Sequence, residues 1–237
     1  MRIARRLAAL VAVLLPCLVG HGLTRLLGRR SLWPKRFLAL AGRACGARVT
    51  LVGTPLPRDV LFAANHLSWL DILLIGGATG ASFVSKAEVA NWPVLGTLAR
   101  LGGTLFVKRE RRGEAGRQAD ALAAALRAGR PVALFAEGRT GNGVELMPFK
   151  PTLFAAVAGQ AGLAVQPLRI DYGAETRAMA WPEDEPAGAN ALRVLGMKGR
   201  RQAVLHFLDP IPTDKVPDRK ALAAQAHAAV DAAAPNG

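Results

Sequence analysis

In the stretch NHLSWLD, residues 65–71, His66 and Asp71 stand five positions apart just after an apolar run, VLFAA. Such a pair can do general-base chemistry. If the carboxylate accepts a hydrogen bond from one imidazole nitrogen, it fixes the tautomer and leaves the other nitrogen to take a proton near neutral pH. A metal half-site is the competing reading. The other histidines, His21, His206 and His227, are scattered and show no ligand spacing, so no metal is expected. There is no G-x-S-x-G elbow to make Ser68 a nucleophile. The two cysteines, Cys17 and Cys45, form no C-x-x-C pair, which excludes a zinc or disulfide framework as the organising device.

Two further polar clusters follow apolar runs. Lys108 and Arg109 end GTLFVKR, with Arg111 and Arg112 beyond; Glu137, Gly138 and Arg139 end PVALFAEGR. An arginine emerging from a buried strand suits bidentate recognition of a phosphate or carboxylate. Glu137, planted at a strand end, needs a partner, for which Arg109 or Arg139 is expected. A glycine-rich turn can also present backbone N–H groups to an anion.

These clusters need a scaffold that brings them together. Strands are expected at 60–64, 81–86, 103–109, 131–137, 163–170 and 202–208. Helices are expected at 69–77, 87–101, 114–129, 151–162 and 221–234. Residues 173–200 break the alternation and are expected to form a long loop or excursion. Alternation of this kind predicts an α/β domain: a mostly parallel, mixed sheet flanked by helices. In such sheets ligands bind at the carboxyl ends of parallel strands, where all three clusters would then converge.

At 237 residues the chain suits one domain with a terminal appendage. Residues 1–50 hold ten Lys/Arg and no acid before Asp59, and the formal charge is +14. Leu7 to Thr24 carries no charged residue, although Pro16 interrupts it. The pattern predicts a retained anchor over residues 1–48, as one span or as helices lying in the interface, ahead of a catalytic domain at 49–237. Basic and apolar residues interleaved favour an anionic membrane surface as partner. Aromatics at 5% argue against a base-stacking nucleic-acid surface.

Four segments in order resemble the blocks of the glycerolipid acyltransferase family, which includes 1-acylglycerol-3-phosphate acyltransferases. They are NHLSWLD, GTLFVKR, LFAEGRTG and VQPLRI, over residues 60–170. The resemblance implies direct acyl transfer from acyl-carrier protein or acyl-CoA to a lysolipid hydroxyl, with no acyl-enzyme, cofactor or metal. It implies that His66 is the base and Asp71 orients it. Arg109, Glu137 and Gly138 would hold the acceptor, joined by Lys108 and Arg139, and Pro167 would shape the fourth block. It implies work at the cytoplasmic face of the inner membrane. Ala136 stands where the third block usually has Pro, and Arg139-Thr140 reverses the usual Thr-Arg, so the acceptor head group is where this chain departs. Lysophosphatidic acid is the first expectation. Lyso-ornithine lipid or another lysolipid is the alternative. A thioesterase or lipase-type hydrolase, and a non-enzymatic binding module, stand behind these.

Overall fold

A computed structural model describes residues 1–107 and 115–234. Lys108, Arg109, Arg111 and Arg112 therefore lie outside the described residues. The sheet is built from β1 (Ala47–Val52), β2 (Val60–Ala64), β3 (Ser82–Lys86), β4 (Leu105–Val107), β5 (Val132–Phe135), β6 (Ala164–Asp171), β7 (Arg201–Phe207) and β8 (Ile211–Pro212). Its order is β1-β7-β6-β2-β5-β3-β4, with β8 paired to β6. Strands β6, β2, β5, β3 and β4 run parallel; β7 and β8 oppose β6, and β1 runs with β7. This is the expected α/β architecture.

The run VLFAA is apolar throughout because β2 is covered on both faces. Val60, Phe62 and Ala64 enter one core, which includes Leu70, Leu74 and Ile75 of α3 (Leu70–Thr79). Leu61 and Ala63 enter the other core, with Leu122 and Leu126 of α5 (Ala115–Arg127) and Leu222 and Ala226 of α8 (Arg219–Ala232). The alternation follows from the two-residue period of a strand.

Three expectations need correction. The helix over 87–101 is split into a 3-10 turn at Ala87–Asn91 and α4 (Leu95–Leu101), because Pro93 holds Trp92 extended. Residues 151–162 form only a 3-10 turn at Pro151–Phe154; Gly159 and Gly162 at φ +72° and +74° cannot continue a helix. The excursion at 173–200 is not a bare loop. It contains α6 (Thr176–Met179) and α7 (Ala187–Gly196), whose Asn190, Val194 and Leu195 are buried. Strands β1 and β8 were not anticipated at all.

At the N-terminus α1 (Arg2–Leu26) is continuous through Pro16, and α2 (Trp33–Ala44) follows. At 25 residues α1 extends roughly 37 Å. By length and composition it could cross a membrane, and only 6% of the residues in its most apolar window are buried in the protein. Helix α2 lies against α3, and α1 lies against both α2 and α7. The division at residue 48 falls within β1.

Candidate active site

The site grows from the end of β2. Asn65 extends the pairing with β6 through its side chain: its amide donates to the Ile170 carbonyl at 3.0 Å and its Oδ1 accepts the Ile170 N–H at 2.7 Å. The chain then turns, and the turn is pinned from five directions. The His66 N–H donates to Glu137 Oε1 at 2.7 Å. The Leu67 and Ser68 N–H groups donate to Asp71 Oδ2 at 2.7 and 2.9 Å. The His66 carbonyl accepts from Gly141 N–H at 2.6 Å, and the Leu67 carbonyl from Trp181 N–H at 2.8 Å. Every backbone polar group of His66 and Leu67 is thereby satisfied.

On this turn the His66 ring is fixed by two contacts. Its Nδ1 lies 2.9 Å from Asp71 Oδ2, and its face stacks on Phe135, 3.6 Å between centroids. Asp71 opens α3 and is fully buried. Four donors converge on its carboxylate if Nδ1 carries the proton: Nδ1–H and two amides on Oδ2, and the Tyr172 hydroxyl at 2.6 Å on Oδ1. A buried carboxylate needs such partners. They leave Nδ1 as donor and Nε2 as the basic nitrogen. The His66 side chain is 14% exposed, so the cluster opens to the surface at the imidazole.

Glu137 reaches this turn because β5 lies beside β2. The Ala136 N–H donates to the Ala64 carbonyl, which carries the parallel pairing one step past the strands and sets Glu137 level with His66. The expected ion pair with Arg139 is not formed. Glu137 instead accepts backbone N–H groups, from His66 on Oε1 and from Met147 on Oε2 at 3.0 Å. Burial pushes its carboxyl up to about 7, against the lowering pull of those two amides. Arg139 is exposed and pairs with Glu183. Gly138 sits in the turn at φ +79°, where a Cβ would stand 3.0 Å from the Lys150 side chain. The positive φ is what favours a glycine here, since the end of the lysine side chain could give way.

His66, Asp71, Glu137 and Gly138 are brought together. Arg139 stands at the rim. Pro167 does not join them: it is buried within β6, opposite Ala63. Its missing N–H is tolerated because the outer edge of β6 changes partner there, pairing β8 at Ala164–Val165 and β7 from Leu168 onward. β4 ends on the same sheet edge, but Lys108 and Arg109 beyond it lie outside the described residues. Sequence reasoning missed Tyr172, Phe135, Lys150 and the Trp181 strap. Only Tyr172 carried a signal, as the sole tyrosine, directly after a strand. Among the described residues no group of three His, Cys, Asp or Glu side chains converges as a metal site requires.

The fold is an α/β domain whose parallel sheet edge carries a histidine oriented by a buried carboxylate, an arrangement able to take up a proton at Nε2. The comparisons with known proteins name the family. Residues 48–171 match the acyltransferase family model. A lyso-ornithine lipid O-acyltransferase of Rhodobacter capsulatus is 34% identical over 97% of this chain and 88% of its own length. A 1-acyl-sn-glycerol-3-phosphate acyltransferase of Neisseria gonorrhoeae is 38% identical over 58% of this chain and 54% of its own. The crystal structure of the 1-acyl-sn-glycerophosphate acyltransferase PlsC from Thermotoga maritima shares the fold, with a TM-score of 0.68 at 20% identity over the full length of both chains. The chain belongs to the acyltransferase family.

Proposed function

We propose that the protein transfers an acyl chain from an acyl-carrier-protein or coenzyme A thioester to the free hydroxyl of a lysolipid. The observation that carries this is the His66 ring, tied at Nδ1 to Asp71 and open to the surface. In the proposed step Nε2 takes the hydroxyl proton as the oxygen attacks the thioester carbonyl. The tetrahedral intermediate then collapses, the C–S bond breaks, and the imidazolium returns the proton to the departing thiolate. Asp71 orients the ring and stabilises its protonated form. Glu137 positions the His66 amide, and so shapes the turn from within. Arg109 and Lys108, following β4 on the same edge, would meet the acceptor head group, with Gly138 and Arg139 at the rim.

Lyso-ornithine lipid is the acceptor best supported, which reverses the order expected from the motifs alone. The relatives that span most of this chain bear that activity in their names. Those named for 1-acylglycerol-3-phosphate match only about half of it. Lysophosphatidic acid remains the second acceptor, on the strength of those matches. We place the anchor in residues 1–48, the catalytic domain in 49–237, and the reaction at the cytoplasmic face of the inner membrane. The exposed apolar surface of α1 and a formal charge of +14 support an anionic membrane as partner. The test is an acyl-transfer assay in mixed micelles with both acceptors, both thioester donors and His66→Ala as control. Selective conversion of lyso-ornithine lipid is expected. Selective conversion of lysophosphatidic acid would overturn the acceptor but keep the mechanism, and full activity of the variant would overturn the mechanism.

A further inference from the structure

A second polar cluster lies on the same sheet edge, where α1 and α2 meet the start of β7. Because β7 opposes β6, its first residue, Arg201, arrives at the end where β6 finishes at Asp171. Arg201 is fully buried. So is most of Arg6, from the first turns of α1, at 6% exposure. The two guanidiniums meet at one acceptor: the Gly199 carbonyl takes a hydrogen bond from Arg6 Nη2 at 3.1 Å and from Arg201 Nη2 at 3.0 Å. Arg6 also donates to the Val194 and Leu195 carbonyls at the end of α7. Gly46 lets this happen, since a Cβ there would come within 2.5 Å of Arg6 Nη2.

Two like charges are thus buried side by side, with one carboxylate against them. Glu175 balances one of them: its Oε2, buried although the rest of the side chain is 42% exposed, faces Arg201 Nε at 3.2 Å off the hydrogen-bond line. Arg201 Nη1 is buried with no hydrogen-bond partner among the described residues. Beside them opens a pocket of about 200 Å³, whose lining adds Arg5, Arg43 and Arg200 to Arg6. These three are exposed and form no ion pair among the described residues.

Buried cations require compensation, and a pocket lined by four arginines and no carboxylate suits the fork geometry of a phosphate. The helix that supplies Arg5 and Arg6 continues at once into an exposed apolar surface at Leu7, Val11, Leu15, Leu18 and Val19. A phosphate beside hydrocarbon is the head of a lipid. We propose that this pocket binds the phosphate of an anionic membrane lipid, at a site separate from the one around His66.

The test is partition of the full chain onto phosphatidylcholine vesicles with and without phosphatidylglycerol. Arg43→Gln/Arg200→Gln is compared with Arg58→Gln/Arg219→Gln, which removes equal charge from exposed positions beside β2 and β8, at the opposite end of the sheet. The rim pair should weaken binding to phosphatidylglycerol vesicles by about 30-fold and the control pair by less than about 3-fold, with no difference on phosphatidylcholine alone. Equal losses from both pairs would reduce the effect to diffuse charge, and no loss from the rim pair would remove the site. A parallel titration with inorganic phosphate separates the two sources of the anion. If phosphate raised the Tm of the parent but not of the rim variant, while vesicle binding was alike in both, the pocket would hold a soluble phosphate and the lipid assignment would fail. The readout is binding, so it is independent of the acyl-transfer assay.

Discussion

Two polar clusters share one edge of the sheet and handle charge in opposite ways. Around His66 the protein supplies a partner for nearly everything it buries. Asp71 takes four donors, Glu137 takes two amides, and each backbone group of the turn is bonded. Around Arg201 it buries two guanidiniums, leaves Nη1 with no hydrogen-bond partner among the described residues and opens a pocket among further arginines. A satisfied network fixes geometry, which is what proton transfer demands. An unsatisfied one stores a demand for a ligand. In the proposed reading, substrate meets the first cluster at the open imidazole and an anion completes the second.

The largest effects should come from breaking the complete cluster at its exposed member. His66→Ala removes the base while leaving the turn's backbone bonds intact, so acyl transfer should fall about 10³- to 10⁴-fold with stability nearly unchanged. Wild-type turnover by the folded variant would dissolve the distinction between the two clusters. Asp71→Asn strikes the hub. The amide oxygen would have to take Nδ1–H and two N–H groups without a negative charge, and its NH2 would turn the Tyr172 hydroxyl from donor to acceptor, so the hold on the ring and the stabilisation of its protonated form both weaken. A fall of roughly 10²- to 10³-fold in kcat is expected, with near-native circular dichroism as the check on folding. Retained kcat with raised KM would mean that Asp71 serves binding rather than the base.

How much of this was legible depended on whether the signal was local. β2, α3 and the His66–Asp71 spacing sit within one short segment, and their periods and types declare them. The convergence of His66 and Glu137 was legible as well, because parallel neighbours place their ends together. β1 was not: it is an edge strand, exposed at every position after Ala47, so no buried alternation marks it. Residues 151–162 read as helical from their apolar content, yet two glycines in the left-handed region decide otherwise. Tyr172 and Asp71 lie 101 residues apart, and nothing in either neighbourhood announces the bond. The amide partners of Glu137 were hidden for a related reason. Charge suggests an arginine, but backbone amides can satisfy a buried carboxylate, and only coordinates reveal them. The arginine pocket was similarly hidden, since its members come from α1, α2 and the lead into β7.

Glu137 offers a smaller and sharper test, because it is a buried acid inside the complete cluster. Its carboxyl titrates at about 7 in the fold, raised chiefly by burial, with Asp71 adding to the rise and Arg139 opposing it. The unfolded chain releases that proton near 4.5. Between those values the native state binds the extra proton, so stability contributed by Glu137 is fully present below about 4.5 and is lost as pH rises through about 7. Glu137→Gln abolishes this slope. It also leaves either the His66 or the Met147 N–H facing an amide nitrogen, which should lower activity by about 10- to 100-fold through the displaced turn. Urea midpoints measured across this range would test the slope. An unaltered slope in the variant would show that Glu137 titrates as an ordinary exposed acid.

The smallest expected effect belongs to Tyr172, and it probes whether completeness itself matters. Burial, then the Asp71 carboxylate, keeps its phenol well above the usual range, so the hydroxyl remains a donor throughout the working pH. Tyr172→Phe keeps the ring and its packing and removes only the bond to Oδ1. Asp71 retains three donors, so the turn should hold and KM should stay unchanged. One lost hydrogen bond of about 1 kcal/mol corresponds to roughly a 5-fold fall in kcat. A purely structural tyrosine would lower Tm and leave kcat unchanged in the folded variant. A lowered kcat with little change in Tm would show that the completed Asp71 shell serves the orientation of the proposed base.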